Sequence, residues 1–211
     1  MVNYLMIRHG QSEANLAQCF AGHWDSPATD LGLQQAKLVA EYVAKTYAVD
    51  AVYSSDLKRA AAVGEAVAAA TGLTMQPDRR LREIDAGQWE GKPFLELVEE
   101  FPGFAVWRND IGSACCDGGE SVAQLQKRIL GALEDIAEKH PGQTVVIATH
   151  ATPIRVALCH AMGLGLEEMK KVPWVSNASL TRIAYDGQFR VVEAGFDGYL
   201  GDATSVLPVN V

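Results

Sequence analysis

Short, predominantly apolar runs recur along the chain: Leu5-Met6-Ile7, Ala51-Val52-Tyr53-Ser54 and Thr144-Val145-Val146-Ile147-Ala148-Thr149. A strand that is apolar at every position has both faces buried, which points to a mostly parallel sheet covered by helices on each side. The segments between these runs supply the helices. Leu33, Ala36, Ala40, Val43 and Tyr47 fall at helical spacing within 31–47, and an alanine-rich stretch runs from about Asp56 to Gly72. Val122, Leu125, Ile129, Leu133 and Ile136 mark one face of a third helix, opened by a capping box of Ser121 and Gln124. Pro153 suits the first turn of a helix that stops near Gly163. Further on, 180–185 and 189–192 flank Asp186-Gly187, a two-residue hairpin signal. The pattern predicts an α/β fold, a three-layer α/β/α sandwich with a mainly parallel sheet plus an antiparallel portion near the C-terminus.

With 211 residues the chain can bury one sizeable core but is short for two, so one domain over 1–211 is expected. Within it, Pro102, Gly103, Gly112, Gly118 and Gly119 interrupt a brief helical signal, and 92–119 reads as a lid-like insertion over the sheet. The formal charge of −8 disfavours nucleic acid and anionic membrane surfaces as partners, so an anionic ligand must be met by a local basic cluster. With no apolar stretch of bilayer length and no charged leader before a hydrophobic run, a cytoplasmic location is expected. Cys19, Cys115, Cys116 and Cys159 show no CxxC spacing and read as reduced thiols, and His9, His23, His140, His150 and His160 lack metal-ligand spacing.

Two of these histidines follow apolar strands directly: His9 after Arg8, and His150 after Thr149. In open α/β sheets ligands bind beyond the carboxyl ends of the strands, so the two imidazoles can face one crevice. Gly10 then allows backbone geometry that a side chain would forbid. Arg59, in "YSSDLKRA", lies in the first turns of the helix after the second strand, where free amides and the macrodipole attract anions and a guanidinium adds a planar fork. Glu83 is bracketed by Leu81 and Ile84, and the partial desolvation suits a carboxyl that keeps a proton for donation. Taken singly, each has an ordinary explanation. Arg59 could be a solvated helix face, Glu83 a surface salt-bridge partner and His150 a hydrogen-bonded histidine at a core edge.

Together the stretches "RHGQSEAN", "FAGHWDSPATDLGLQQA", "VYSSDLKRA", "LREIDAGQWEG", "GGES" and "IATHATPIR" resemble the histidine phosphatase superfamily, the clan of cofactor-dependent phosphoglycerate mutases and many small phosphatases. The resemblance implies that His9 is the nucleophile, that Arg8, Arg59 and His150 form the phosphate pocket, and that Glu83 is the proton donor. Asn15, Gly22 and Ala151 take substrate-contacting positions in the same motifs. In such a site a neutral imidazole attacks phosphorus while its other nitrogen donates to a fixed acceptor, such as a carbonyl near Gly10, and a protonated His150 joins the arginines in stabilising the phosphoryl oxygens. Neither metal nor cofactor is expected. The chain departs from the family where Ala151 follows the late histidine in place of glycine, and where Ala28 replaces the usual leucine.

The expected function is metal-independent hydrolysis of small phosphomonoesters through a phosphohistidine on His9, with α-ribazole phosphatase-like or sugar phosphatase activity as specialisations. The alternatives are a cofactor-dependent phosphoglycerate mutase and a noncatalytic phosphate-binding interaction protein. Mutases typically carry ERxYG at the acid glutamate, whereas here Ile84-Asp85-Ala86-Gly87-Gln88-Trp89-Glu90-Gly91 follows, and Asp85 and Glu90 disfavour a second phosphate. The expected partner is a small-molecule phosphomonoester, with no nucleic acid and no membrane, and with room for a homodimer. Phe94, Phe101 and Phe104 read as a satellite core, and Trp107 and Arg108 as specificity candidates. His23 and Trp24 read as entrance residues, Glu120 and Ser121 as a helix start, and 199–211 carries no chemical signal.

Overall fold

The computed structural model describes residues 1–205; the remaining segment, 206–211, lies outside the described residues. In chain order the elements are β1 (Val2–Arg8), α1 (Glu13–Leu16), α2 (Asp30–Thr46), β2 (Ala51–Ser54), α3 (Lys58–Thr71) and β3 (Met75–Pro77). They continue with α4 (Phe94–Glu100), α5 (Pro102–Asn109), α6 (Val122–Lys139), β4 (Thr144–Thr149), α7 (Ala151–Ala161), β5 (Leu180–Tyr185) and β6 (Phe189–Phe196). The sheet order is β3-β2-β4-β1-β5-β6. Its first four strands pair in parallel, and β5 and β6 add antiparallel pairs, as the apolar runs and the late hairpin predict.

The unbroken apolar strands divide their side chains between two cores. Tyr4, Met6, Val145 and Ile147 face one side, against α6 and α7. Leu5, Ile7, Val146 and Ala148 face the other, against α2 and α3. This is the period-two alternation of a strand buried on both faces, and it produces the three layers. Helix α6 buries the five apolar residues expected of its face, each removal from water being worth about 1.5–3 kcal/mol. Its capping box is formed: the Ser121 and Gln124 backbone amides donate to Gln124 Oε1 (2.8 Å) and Ser121 Oγ (3.2 Å).

Three local expectations change. The insertion is more helical than its glycines and proline indicate: α4 and α5 occupy most of 94–109, and Pro102 is an N-terminal residue of α5, where its missing N–H costs no helical bond. Strand β6 runs to Phe196 rather than ending at Val192. The hairpin connection has three residues rather than two, with Gly187 at φ +96° and Tyr185 paired with Phe189.

The loop after β1 lies flush against the start of α2. A Cβ on Gly10 would stand 2.3 Å from the Gly32 carbonyl oxygen, and one on Gly32 would stand 2.0 Å from that of Gln11. Helix propensity alone favours alanine over glycine at position 32 by about 1 kcal/mol, but the obstructing atom is backbone, and overpacking of this kind costs about 1–3 kcal/mol. Gly32→Ala is therefore expected to lower the melting temperature by several degrees. A rise on thermal melting would contradict the close approach.

Candidate functional site

Strands β1 and β4 are neighbours in the sheet, with Arg8 opposite Thr149, so the two histidines that follow them emerge side by side. The His9 amide donates to the Thr149 carbonyl at 2.9 Å, and the imidazole centroids lie 5.2 Å apart. His9 Nδ1 is 2.6 Å from the Gly10 carbonyl. A carbonyl only accepts, so Nδ1 carries the proton and Nε2 keeps its lone pair. His150 is the N-cap residue of α7, and its Nε2 meets the Ser55 hydroxyl at 2.8 Å just beyond β2. It has no solvent exposure and stands behind His9 rather than on the pocket lining.

The arginines are pinned. Arg8 Nη1 donates to the Val175 carbonyl (2.6 Å), while Arg59 Nη1 and Nη2 donate to the carbonyls of Trp24 (2.9 Å) and Gly22 (2.7 Å). Arg59 is only 1% exposed, so it is not a solvated helix face. Gly22 holds φ +47°, and a Cβ there would stand 2.3 Å from Glu90 Oε1, so this turn excludes larger residues. Glu90 ties the turn down by accepting the amides of His23, Trp24 and Ala86. Opposite, the Glu83 carboxylate accepts the amides of Ile84 (2.9 Å) and Thr152 (3.2 Å). Its backbone carbonyl is held by Arg128 Nη2 (3.0 Å) and His23 Nε2 (2.9 Å). Asn15 Oδ1 accepts the Ser12 amide and Asn177 Nδ2, which leaves the Asn15 amide nitrogen free for the pocket.

Arg8, His9, Asn15, Gly22, Arg59 and Glu83 thus line one cavity, together with Ala151 at the start of α7. Ala151 has helical backbone there, so the absence of the family's glycine imposes no strain. The cavity volume is about 80 Å³, well above the ~10–15 Å³ that one water needs on the same measure, so a phosphoryl group fits among these side chains. Two of the lining residues carry buried nitrogens without a partner, Arg8 Nε and Arg59 Nε, and so does His150, behind the lining, at Nδ1. Native interiors rarely leave such groups unpaired, so their convergence calls for a ligand rich in acceptors. Trp107 reaches the lining, whereas Arg108 is exposed and lines a neighbouring cavity. Glu120 touches the site only through Arg128 (2.6 Å), and Ser121 caps α6.

Sequence reasoning missed Ser55, Arg128, Asn177 and Trp174. Ser55 stands in the "YSSD" strand end already singled out, so its position was a usable signal. Asn177 Nδ2 and the Ala178 amide both donate to the His9 carbonyl, and nothing in their local sequence marks that role.

Burial dominates the electrostatics. Desolvation pushes Arg8 and Arg59 down to about 10, against the opposing pull of Glu83, and both stay charged at neutral pH. Desolvation, then Arg59, also holds His9 and His150 well below the ordinary histidine value. Full burial and the two neighbouring guanidinium charges thus work against a third cation at His150, so the protonated form expected of it has to draw on the phosphoryl charge. The unfolded chain binds protons at both histidines near pH 6.5 and the folded one does not, so this contribution is present above that pH and lost below it. The loss is about 1.4 kcal/mol per pH unit per histidine. In urea unfolding at pH 7.5 and at pH 5.5, His150→Gln should lose less stability on acidification than wild type, by about 1 kcal/mol over the two pH units. Equal losses would contradict the buried neutral imidazole.

A family model for the histidine phosphatase superfamily (branch 1) matches residues 4–197. Phosphoserine phosphatase 1 of Hydrogenobacter thermophilus is 34% identical over 169 residues, 80% of each chain. Phosphoglycerate mutase-like protein 4 of Arabidopsis thaliana is 33% identical over 219 residues, covering 95% of this chain and 93% of its own. Among solved structures, Bacillus stearothermophilus YhfR superposes with a TM-score of 0.90 at 28% identity, over 95% of this chain and 100% of its own. A mycobacterial glucosyl-3-phosphoglycerate phosphatase in complex with VO3 superposes at 0.85 and 26% identity, over 92% and 99%. The match of motifs, fold and nearly the whole length makes the chain a member of the histidine phosphatase superfamily.

Proposed function

We propose that this protein is a phosphomonoesterase that hydrolyses small phosphomonoesters through a phosphohistidine on Nε2 of His9. The observation that carries this reading is the 2.6 Å hydrogen bond from His9 Nδ1 to the Gly10 carbonyl, which fixes the tautomer and aims the lone pair of Nε2. Arg8, Arg59 and Asn15 hold the phosphoryl oxygens, aided by the Ala151 amide at the start of α7. At an effective dielectric of ~20 one charge pair near ~4 Å is worth about 4 kcal/mol before desolvation. Two pinned guanidinium groups thus meet a dianion within a chain of net charge −8. The arrangement needs no metal, since the developing charge stays on oxygens that the arginines already face.

In the first step Nε2 bonds to phosphorus as the ester P–O bond breaks in line, and Glu83 gives its proton to the departing alkoxide. In the second step water attacks phosphorus, Glu83 takes the water's proton, and the P–N bond breaks to release inorganic phosphate and neutral His9. His150 lies off the pocket lining, its ring centroid 5.2 Å from that of His9, and supports the site from behind through its contact with the Ser55 hydroxyl at 2.8 Å.

Relatives named as phosphoserine and glucosyl-3-phosphoglycerate phosphatases support hydrolysis over isomerisation. Glu90, a carboxylate packed beside Gly22, also disfavours a second phosphate nearby. The reading treats the chain as one catalytic domain with 92–119 over the site. A cytoplasmic location is part of the proposal, supported by the free thiols of Cys19, Cys115, Cys116 and Cys159.

His9→Ala is expected to abolish phosphate release with little change in melting temperature. Glu83→Gln should slow alkyl phosphates by about 10²–10⁴-fold and activated aryl phosphates far less, in initial-rate assays. Equal losses on both would remove Glu83 as the acid. With 3-phosphoglycerate and a bisphosphate primer, phosphate release should exceed isomerisation. The reverse would make the protein a mutase.

A further inference from the structure

Behind the lining tryptophans lies a second cavity of about 290 Å³, and Trp107 and Trp174 line both spaces, so the two share a wall. Its charge is opposite to that of the chain as a whole: Arg108, Arg155 and Lys170 line it, and among the described residues no carboxylate does. Arg155 projects from α7, is 3% exposed, and lies with its guanidinium carbon 3.9 Å from the Trp174 ring centroid. Its Nη2 donates to the carbonyls of Met169 (3.3 Å) and Val172 (3.0 Å), which explains one nitrogen as a loop tether. Nε and Nη1 have no acceptor, and neither has the indole Nε1 of Trp107, itself 3% exposed. Three buried donor atoms without partners thus belong to two residues of a lining that also carries Arg108 and Lys170. A tether alone does not account for them, whereas an anionic acceptor does.

We infer that this second cavity is a subsite for a carboxylate carried on the alcohol part of the ester, so that the preferred substrates are acid-bearing phosphomonoesters. The inference rests on the phosphatase reading of the first pocket, with which the second cavity shares its Trp107 and Trp174 wall. One buried guanidinium matches a monoanion, and a second phosphate dianion would carry charge that the desolvated part of the site does not balance. Arg108 and Lys170 are exposed at the rim, where they raise the local concentration of anions without paying burial.

The test is phosphate release by the full chain from 3-phosphoglycerate and from glycerol 3-phosphate, which carries a neutral CH2OH where the acid stands. Wild type should favour the acid by at least about tenfold in kcat/KM, mostly through KM, the discrimination expected of a charge-assisted hydrogen bond. Arg155→Met should bring the ratio near one. Because that change also cuts the tether to Met169 and Val172, Arg108→Glu serves as a surface variant, and it should raise KM for the acid several-fold more than for the neutral ester. Equal kcat/KM for the two esters in wild type, or variants that lower both equally, would overturn the subsite while leaving the phosphatase intact. A preference confined to fructose 1,6-bisphosphate over fructose 6-phosphate would assign the cavity to a second phosphate and overturn the carboxylate. No release from any ester, p-nitrophenyl phosphate included, would overturn both readings.

Discussion

The hydrogen bond between His9 Nδ1 and the carbonyl of the next residue is the constraint on which the rest of the site depends. It decides which ring nitrogen is basic, and it does so with backbone, which cannot rotate away as a side-chain acceptor could. The carbonyl is itself held in place. Gly10 and Gly32 let the loop after β1 press against α2, and the Ala178 amide and Asn177 Nδ2 grip the carbonyl of His9. The imidazole is therefore oriented by the packing of a strand, a helix and the segment before β5. This is the rigid support that a nucleophile needs if it is to meet phosphorus in line.

Around that imidazole the protein buries charge, which is expensive unless each charge has partners. Arg8 and Arg59 are satisfied only in part, by backbone carbonyls at 2.6–2.9 Å. The remaining demand for acceptors is what binds an anion. The same burial keeps both histidines neutral, so the cations that attract the phosphoryl group are permanent guanidinium charges, while the imidazoles stay free for nucleophilic and hydrogen-bonding work. Arg128 extends this logic outward, because it anchors the backbone carbonyls of Arg80, Arg82 and Glu83 and so fixes the loop that carries the carboxylate.

Much of the fold was legible because its signals are local. β1 and β4 are apolar at nearly every position, and α6 repeats its apolar face over four turns. β3 is not legible because its three residues, a half-buried Met75 and the exposed Gln76 and Pro77, carry no periodicity. α4 and α5 were obscured because Pro102 and Gly103 read as loop when taken by residue type, although proline at a helix start is compatible with helix. In the site, residues tied to strand ends or motifs were legible: His9, His150, Arg59 and Glu83 do converge. Residues that act through long-range backbone contacts, such as Asn177 and Arg128, were not, since their role exists only once β5 and α6 are in place. The complete burial of His150 was also out of reach, because packing alone reveals it.

The most direct test of the account is to trap the intermediate chemically and locate its phosphorus. Reaction with a phosphomonoester, quenching in base and chromatographic or ³¹P resolution of the two phosphohistidine isomers identifies both the residue and the nitrogen. The account predicts phosphate on Nε2 of His9. Phosphate on Nδ1 of that ring or on His150, or turnover without any phosphohistidine, would contradict it.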